Sequence, residues 1–349
     1  MYLGAPFISA FLQRFPRQRR WCSIIGLMLI VMALVSSSFA TKVWHLILSQ
    51  GILYALGGTL LYFPTIVFMD EWFVQRKGFA FGVMWAGTGC SGVCIPFIMG
   101  WGLEKYGFAT MLRAWTVVMV VFSGPLLYYV RPRIPVSRTA FHRRPLDFGF
   151  LKGSTFWVLQ AGNILEGLGF FIPNIWLPTY ARSLGLSPIS GTVLVTLFNT
   201  TSVFGVVILG SLTDRLHVTS VILISCIGST LSVFLLWGFA ASLPLLCIFS
   251  LIYGLFAGGF SSTWTGITRE VKRKDDRAEL GLVFGLLAAG RGIGSVVSGP
   301  LSEALVSSRP WQGEAVLGYG TGYGGLIVFT GISAMLGGMS WVGRRVGWV

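Results

Sequence analysis

Residues 78–92 read GFAFGVMWAGTGCSG. Two chemical signatures overlap there. Gly87, Gly89 and Gly92 spell G-x-G-x-x-G, the cradle of a dinucleotide pyrophosphate. Gly89, Cys90, Ser91 and Gly92 spell G-x-S-G, the pattern of a serine nucleophile. A pyrophosphate loop needs a strand before it and a polar mouth, but no charged residue interrupts Phe79–Leu103. A serine nucleophile needs a base, and the three histidines (His45, His142, His217) lie in expected loops or at span ends. The glycines have a simpler use, because small residues let helices approach closely where lipid supplies no hydrophobic drive.

The rest of the chain reads the same way. Apolar residues make up 54% of it and charged residues 11%, against about a quarter charged in a soluble domain. Trp21–Thr41, Ser183–Thr213 and Val218–Thr268 also carry no charge. A spanning helix needs roughly 20 mostly apolar residues, and barrel-type alternation is absent. An all-α, multi-pass membrane protein follows. The net charge of +14 then reads as loop charge on one side of a bilayer, not as a nucleic-acid footprint. The five cysteines all fall in apolar spans and read as structural, and Cys90 and Cys94 have no His or acid beside them. No metal site, disulfide framework, P-loop or other cofactor site is implied.

Ten spans are expected near 22–40, 46–69, 79–101, 112–130, 155–179, 189–212, 218–240, 243–267, 280–304 and 319–343. Residues 1–13 are apolar, yet such a helix rises only about 20 Å against a roughly 30 Å hydrocarbon core, so they read as the tail of a further span. All but six of the 26 Lys and Arg lie in alternate loops, around 14–20, 74–78, 131–153, 214–217, 269–279 and the C-terminal tail. That asymmetry places these loops and the C-terminus in the cytoplasm, with the plasma membrane as the expected location. The basic, proline-bearing stretch 131–153 reads as a linker between an N-terminal bundle, 1–130, and a C-terminal six-helix bundle, 154–349.

The opening stretch recurs. Gly78, Phe81, Gly82, Gly87 and Gly89 return as Gly281, Phe284, Gly285, Gly290 and Gly292 at one constant spacing. Gly57-Gly58 and Arg14-Phe15 return as Gly258-Gly259 and Arg215-Leu216 at a spacing two residues shorter. Two halves therefore share one pattern. The second half opens with a span that has no counterpart after Met1, so roughly 40–50 residues, one helix and part of a second, are expected to be missing.

At this point a family shows in the residues. Gly210-Ser-Leu-Thr-Asp214-Arg215 resembles the G-x-L-x-D-R loop of the major facilitator superfamily. Tyr62-Phe-Pro64, Glu71-Trp-Phe73-x-x-Arg76-Lys77-Gly78 and the Gly82–Gly89 pattern resemble its monocarboxylate porters, and Gly290-Arg291-Gly292-Ile-Gly294 with Ser298-Gly299-Pro300 the fungal branch. In the first half Gln13 replaces the loop's acid and Pro16 its usual glycine. The resemblance implies two six-helix bundles related by the repeat. It also implies a secondary transporter rather than an enzyme, carrying a small monocarboxylate with protons by alternating access. A transporter of another solute and an inactive, truncated membrane protein are the competing readings.

Two charges stand inside spans. Glu166, in GNILEGLGFF, costs at least about 2.5 kcal/mol at bilayer depth unless it meets a cavity or partner, so it is a candidate proton carrier, with Asn163 one turn away on its face. Arg291 is the other. Its guanidinium can fork onto a substrate carboxylate or neutralise Glu166. Each has a plainer reading as a structural charge satisfied by neighbouring helices. Gly210, Asp214 and Arg215 are the candidate gate. The superfamily resemblance makes Tyr54, Gly58, Tyr62, Phe170, Asn174 and Trp264 candidate cavity lining, although packing is the commoner use of a single aromatic.

Overall fold

A computed structural model describes residues 1–133 and 146–349. Residues 134–145, which hold His142 and the middle of the expected linker, lie outside the described residues. Every regular element among those described is helical. In chain order the helices are α1 (Ala5–Arg14), α2 (Pro16–Ser37), α3 (Val43–Trp72), α4 (Lys77–Tyr106), α5 (Phe108–Tyr129), α6 (Ser154–Ser183), α7 (Pro188–Thr213), α8 (Val218–Trp237), α9 (Leu243–Lys274), α10 (Leu280–Ser307) and α11 (Gly324–Arg345). Among the described residues nine of these, α2 to α5 and α7 to α11, are long and apolar enough to cross a membrane. The tenth expected span, α6, is 30 residues long but too polar to count with them; Gln160, Asn163 and Glu166 lie along it.

Local sequence sets the helix ends. Proline opens α7 and α9 in the first turn, where its missing N–H costs nothing. Gly107, at φ 77°, turns the chain between α4 and α5, a conformation a β-carbon disfavours. α3 and α8 each contain a π-helical stretch, Ile47–Leu53 and Ser232–Trp237.

By contacts the chain divides into two units. One comprises Met1–Gln75, Cys94–Phe148 and Ala278–Ala289, and the other Arg76–Val93, Gly149–Arg277 and Gly290–Val349. In the first, Ile30, Leu34 and Leu112 pack with Tyr54, Leu61, Trp115 and Met119. Glu71 pairs with Arg19 of α2 at 2.8 Å. In the second, Tyr180, Phe198, Trp237, Phe249, Tyr253 and Tyr323 are the buried rings of one core, and Tyr180 donates to the carbonyl of Ala240 at 2.6 Å.

The contact units cut across the halves of the sequence because of the repeated glycines. A β-carbon on Gly78 would sit 2.1 Å from the carbonyl oxygen of Gly210, and one on Gly82 would sit 2.5 Å from that of Val206. α4 therefore lies backbone to backbone on α7. The repeat copy behaves alike: a β-carbon on Gly285 of α10 would meet Ser9 Oγ and, at 3.0 Å, the carbonyl of Ala5 in α1. Gly89 and Gly92 also serve close approach, to Val203 and Asn199, but Gly87 faces open space. The expectation that all these glycines pack helices is corrected there. Of the cysteines, Cys22 and Cys226 are buried, Cys247 is half-buried, and Cys90 and Cys94 are exposed.

Candidate functional site

The intramembrane charges meet. Arg291 Nη1 of α10 donates to Glu166 Oε2 of α6 at 2.5 Å. The two side chains are 3% and 4% exposed. Of the two roles open to Arg291 on the sequence, this geometry displays neutralisation of Glu166. Close packing brings the helices near enough: a β-carbon on Gly294 would lie 2.6 Å from the carbonyl carbon of Gly167. The guanidinium also stands over Phe170 at 4.2 Å and near Phe171 and Phe260, at 5.6 and 5.8 Å. Aromatic faces favour a desolvated cation. The acid is less fully served, because Glu166 Oε1 is buried without a hydrogen-bond partner.

A neutral polar chain runs beside the pair. Asn163 is wholly buried. Its Oδ1 accepts from Trp264 Nε1 at 3.1 Å and its Nδ2 donates to Gln160 Oε1 at 3.3 Å. Trp264 meets Trp85 edge to face, with ring centroids 6.0 Å apart. Gln160 and Trp85 were not among the sequence candidates. Gln160 carried a usable signal, since Gln160, Asn163 and Glu166 fall at steps of three along one helix face. Trp85 carried none beyond its place in the glycine pattern.

The remaining candidates are spread more widely. Phe170 joins the pair as described, and Asn174, one turn further along α6, is exposed. Tyr54 packs in the core of the first unit, Gly58 lies against the Met1 side chain, and Tyr62 is half-buried beside Phe63.

At the end of α7, Asp214 does electrostatic work on another helix. Its Oδ1 and Oδ2 accept the backbone N–H groups of Gly78 and Phe79, at 3.0 and 2.9 Å, so it caps the first turn of α4. Arg269 Nη2 of α9 joins it at 3.0 Å. Gly210 lets α4 come that close, while Arg215 is exposed.

Long apolar helices, two sequence repeats and a buried ion pair between spans define a multi-pass helical membrane protein with a polar site inside it. The family model of the Major Facilitator Superfamily matches residues 1–191 and 159–339, and the chain belongs to that superfamily. It is 29% identical over 293 residues to the MFS-type transporter pynF of Aspergillus niger, covering 82% of this chain and 66% of that protein. To monocarboxylate transporter 10 of Rattus norvegicus it is 25% identical over 331 residues, covering 88% and 63%. It is also 26% identical over 338 residues to the agnestins efflux protein AgnL12 of Paecilomyces divaricatus, covering 96% and 73%. The chain thus spans about two thirds of the length of the curated relatives it matches. The fold is that of the E. coli fucose:proton symporter FucP, with TM-score 0.68, 12% identity, and 99% and 88% of the two chains covered. A bacterial homologue of the iron transporter ferroportin in an outward-facing state gives TM-score 0.66 at 15% identity, with 99% and 87% covered.

Proposed function

We propose that the chain serves as a secondary transporter that carries a small monocarboxylate or related organic anion together with a proton. The observation that carries this reading is the Glu166–Arg291 pair, buried between α6 and α10 with one carboxylate oxygen unpaired. A proton taken by Oε1 neutralises Glu166 and loosens its hold on the guanidinium. Arg291 is then offered to the carboxylate of the cargo, which forks onto it in place of Glu166. When cargo and proton leave, the pair re-forms, and the empty carrier holds no unpaired buried cation. Asn163 and Trp264 hold α6 and α9 in register beside this exchange. Asp214 acts as the gate, its cap on α4 and its pair with Arg269 breaking and re-forming as the protein alternates. The plasma membrane, with the basic loops and C-terminus cytoplasmic, is part of the same reading.

Uptake of labelled monocarboxylates by vesicles containing the protein, with and without an inward proton gradient, tests it. Uptake should rise with the gradient, vanish in Arg291→Ala, and lose its pH dependence in Glu166→Gln while exchange of internal for external cargo persists. Uptake indifferent to pH and to both changes would sink the mechanism. A second reading, export of another small molecule instead of uptake, is favoured by the similarity to the agnestins efflux protein. A substrate panel run in both directions separates the two.

A further inference from the structure

The loop between α7 and α8 sends two side chains to the same turn of α9. Asp214 pairs with Arg269 at 3.0 Å, and His217 Nε2 stands 3.4 Å from Glu270 Oε2. Arg269 and Glu270 are consecutive, so the two contacts form adjacent rungs of one clasp. Glu270 is nearly buried and is held from its other side by Arg273 Nη2 at 2.5 Å. The second ring nitrogen of His217 is committed as well. Its Nδ1 accepts the backbone N–H of Thr219 at 3.3 Å, capping α8, and lies 2.9 Å from Thr219 Oγ1.

One form of the ring meets all these contacts: neutral, with its hydrogen on Nε2. A second proton, on Nδ1, would set N–H against N–H, and the cap would be lost. The charged groups facing the ring are Glu270 and Arg273 from α9 and Arg344 from the end of α11, with Asp214 and Arg215 preceding it in its own loop. Burial first, then the Arg344 and Arg273 guanidiniums, hold the imidazole below its ordinary value of 6.5, against the pull of Glu270.

We infer that His217 is a proton-operated release for this clasp. Neutral, it fixes the α7–α8 loop to α8 and α9. Protonated, it frees the loop, and with it the carboxylate that caps α4. The sign follows from linkage. The clasped form binds a proton less readily than a released loop with an ordinary imidazole, so the clasp is fully favoured above the ordinary 6.5 and weakens as pH falls through it towards the depressed value. On the proposed transport reading, acid on the side bearing the basic loops speeds opening there; this consequence alone rests on that reading.

The test is hydrogen exchange at the Gly78 and Phe79 amides, which Asp214 covers, in the full chain in nanodiscs without substrate. Corrected for the intrinsic pH dependence of exchange, protection should fall about fivefold between about pH 7.5 and pH 5.5. In His217→Gln, which keeps a donor and an acceptor, it should stay level. Glu270→Gln removes the pull on the proton and should deepen the fall below about pH 6.5 without moving its onset, which keeps the idea testable if the first variant folds poorly. Protection that ignores pH in the wild type, or falls equally in His217→Gln, overturns the inference. With no cargo present, a negative uptake result counts against transport and leaves this one standing.

Discussion

Asp214 and Gln13 occupy matching positions in the two halves, and only one of them carries a charge. Asp214 caps α4 with both carboxylate oxygens. Gln13 is buried, and its Oε1 has no hydrogen-bond partner. The position that the repeat would place twice is therefore anionic once, and there it caps a helix.

Asp214→Asn keeps the shape and removes the charge. An amide has one accepting oxygen where the carboxylate uses two, so one N–H of the α4 cap is left against a donor. The variant should lose about 1–2 kcal/mol of stability, read as a lower melting temperature in detergent. Arg269→Ala should cost less, at most about 1 kcal/mol, because that side chain is half-exposed. Equal losses in the two variants would mean the cap is not the main contribution.

The glycines separate sharply. A β-carbon on Gly205 would lie 2.1 Å from the carbonyl oxygen of Leu255 in α9, and backbone there has nowhere to move. Gly205→Ala should destabilise by about 1–3 kcal/mol or abolish folding. Gly87→Ala meets nothing within 4 Å and, inside a helix, should be neutral or gain up to about 1 kcal/mol. Thermal unfolding of the two variants side by side decides this, and a damaging Gly87→Ala would contradict the open space seen there.

Breaking the buried ion pair from one side leaves the other charge stranded. Arg291→Met alone, or Glu166→Leu alone, should cost about 3–5 kcal/mol, while the double variant should recover most of that loss. A double-mutant cycle on unfolding midpoints measures it. Additive losses would show that the two groups do not depend on each other.

Trp264→Phe removes the donor to Asn163 Oδ1 in a wholly buried place. Loss of this buried hydrogen bond should cost about 0.5–1.5 kcal/mol, read as a lower melting temperature in detergent. A Trp264→Phe protein as stable as the parent would place the hold on α9 elsewhere.

Much of this was legible in the sequence, for definable reasons. The repeated glycines give away the paired halves because only glycine permits α4 on α7 and α10 on α1 at backbone distance. Glu166 and Arg291 stand out singly because charge inside an apolar span is expensive. Their contact was not legible, since nothing local records which helices more than a hundred residues apart come together. Trp85 stayed hidden because a neutral ring in a span carries no such cost signal, whereas Gln160 was legible only through its step of three from Asn163 and of six from Glu166. Gly87 misled for the opposite reason: it shares a pattern with Gly89 and Gly92 but points away from α7.

The seam between α4 and α7 has a mechanical consequence. Where helices interlock through side chains, tilting one means lifting knobs out of holes and finding new rotamers. Along Gly78 and Gly82 the contact is largely main chain on main chain, with the short Thr213 side chain also reaching Gly78. Such a surface works like a plain bearing, resisting separation strongly and rotation weakly. A side chain added at Gly78 or Gly82, however small, would act as a key in the shaft.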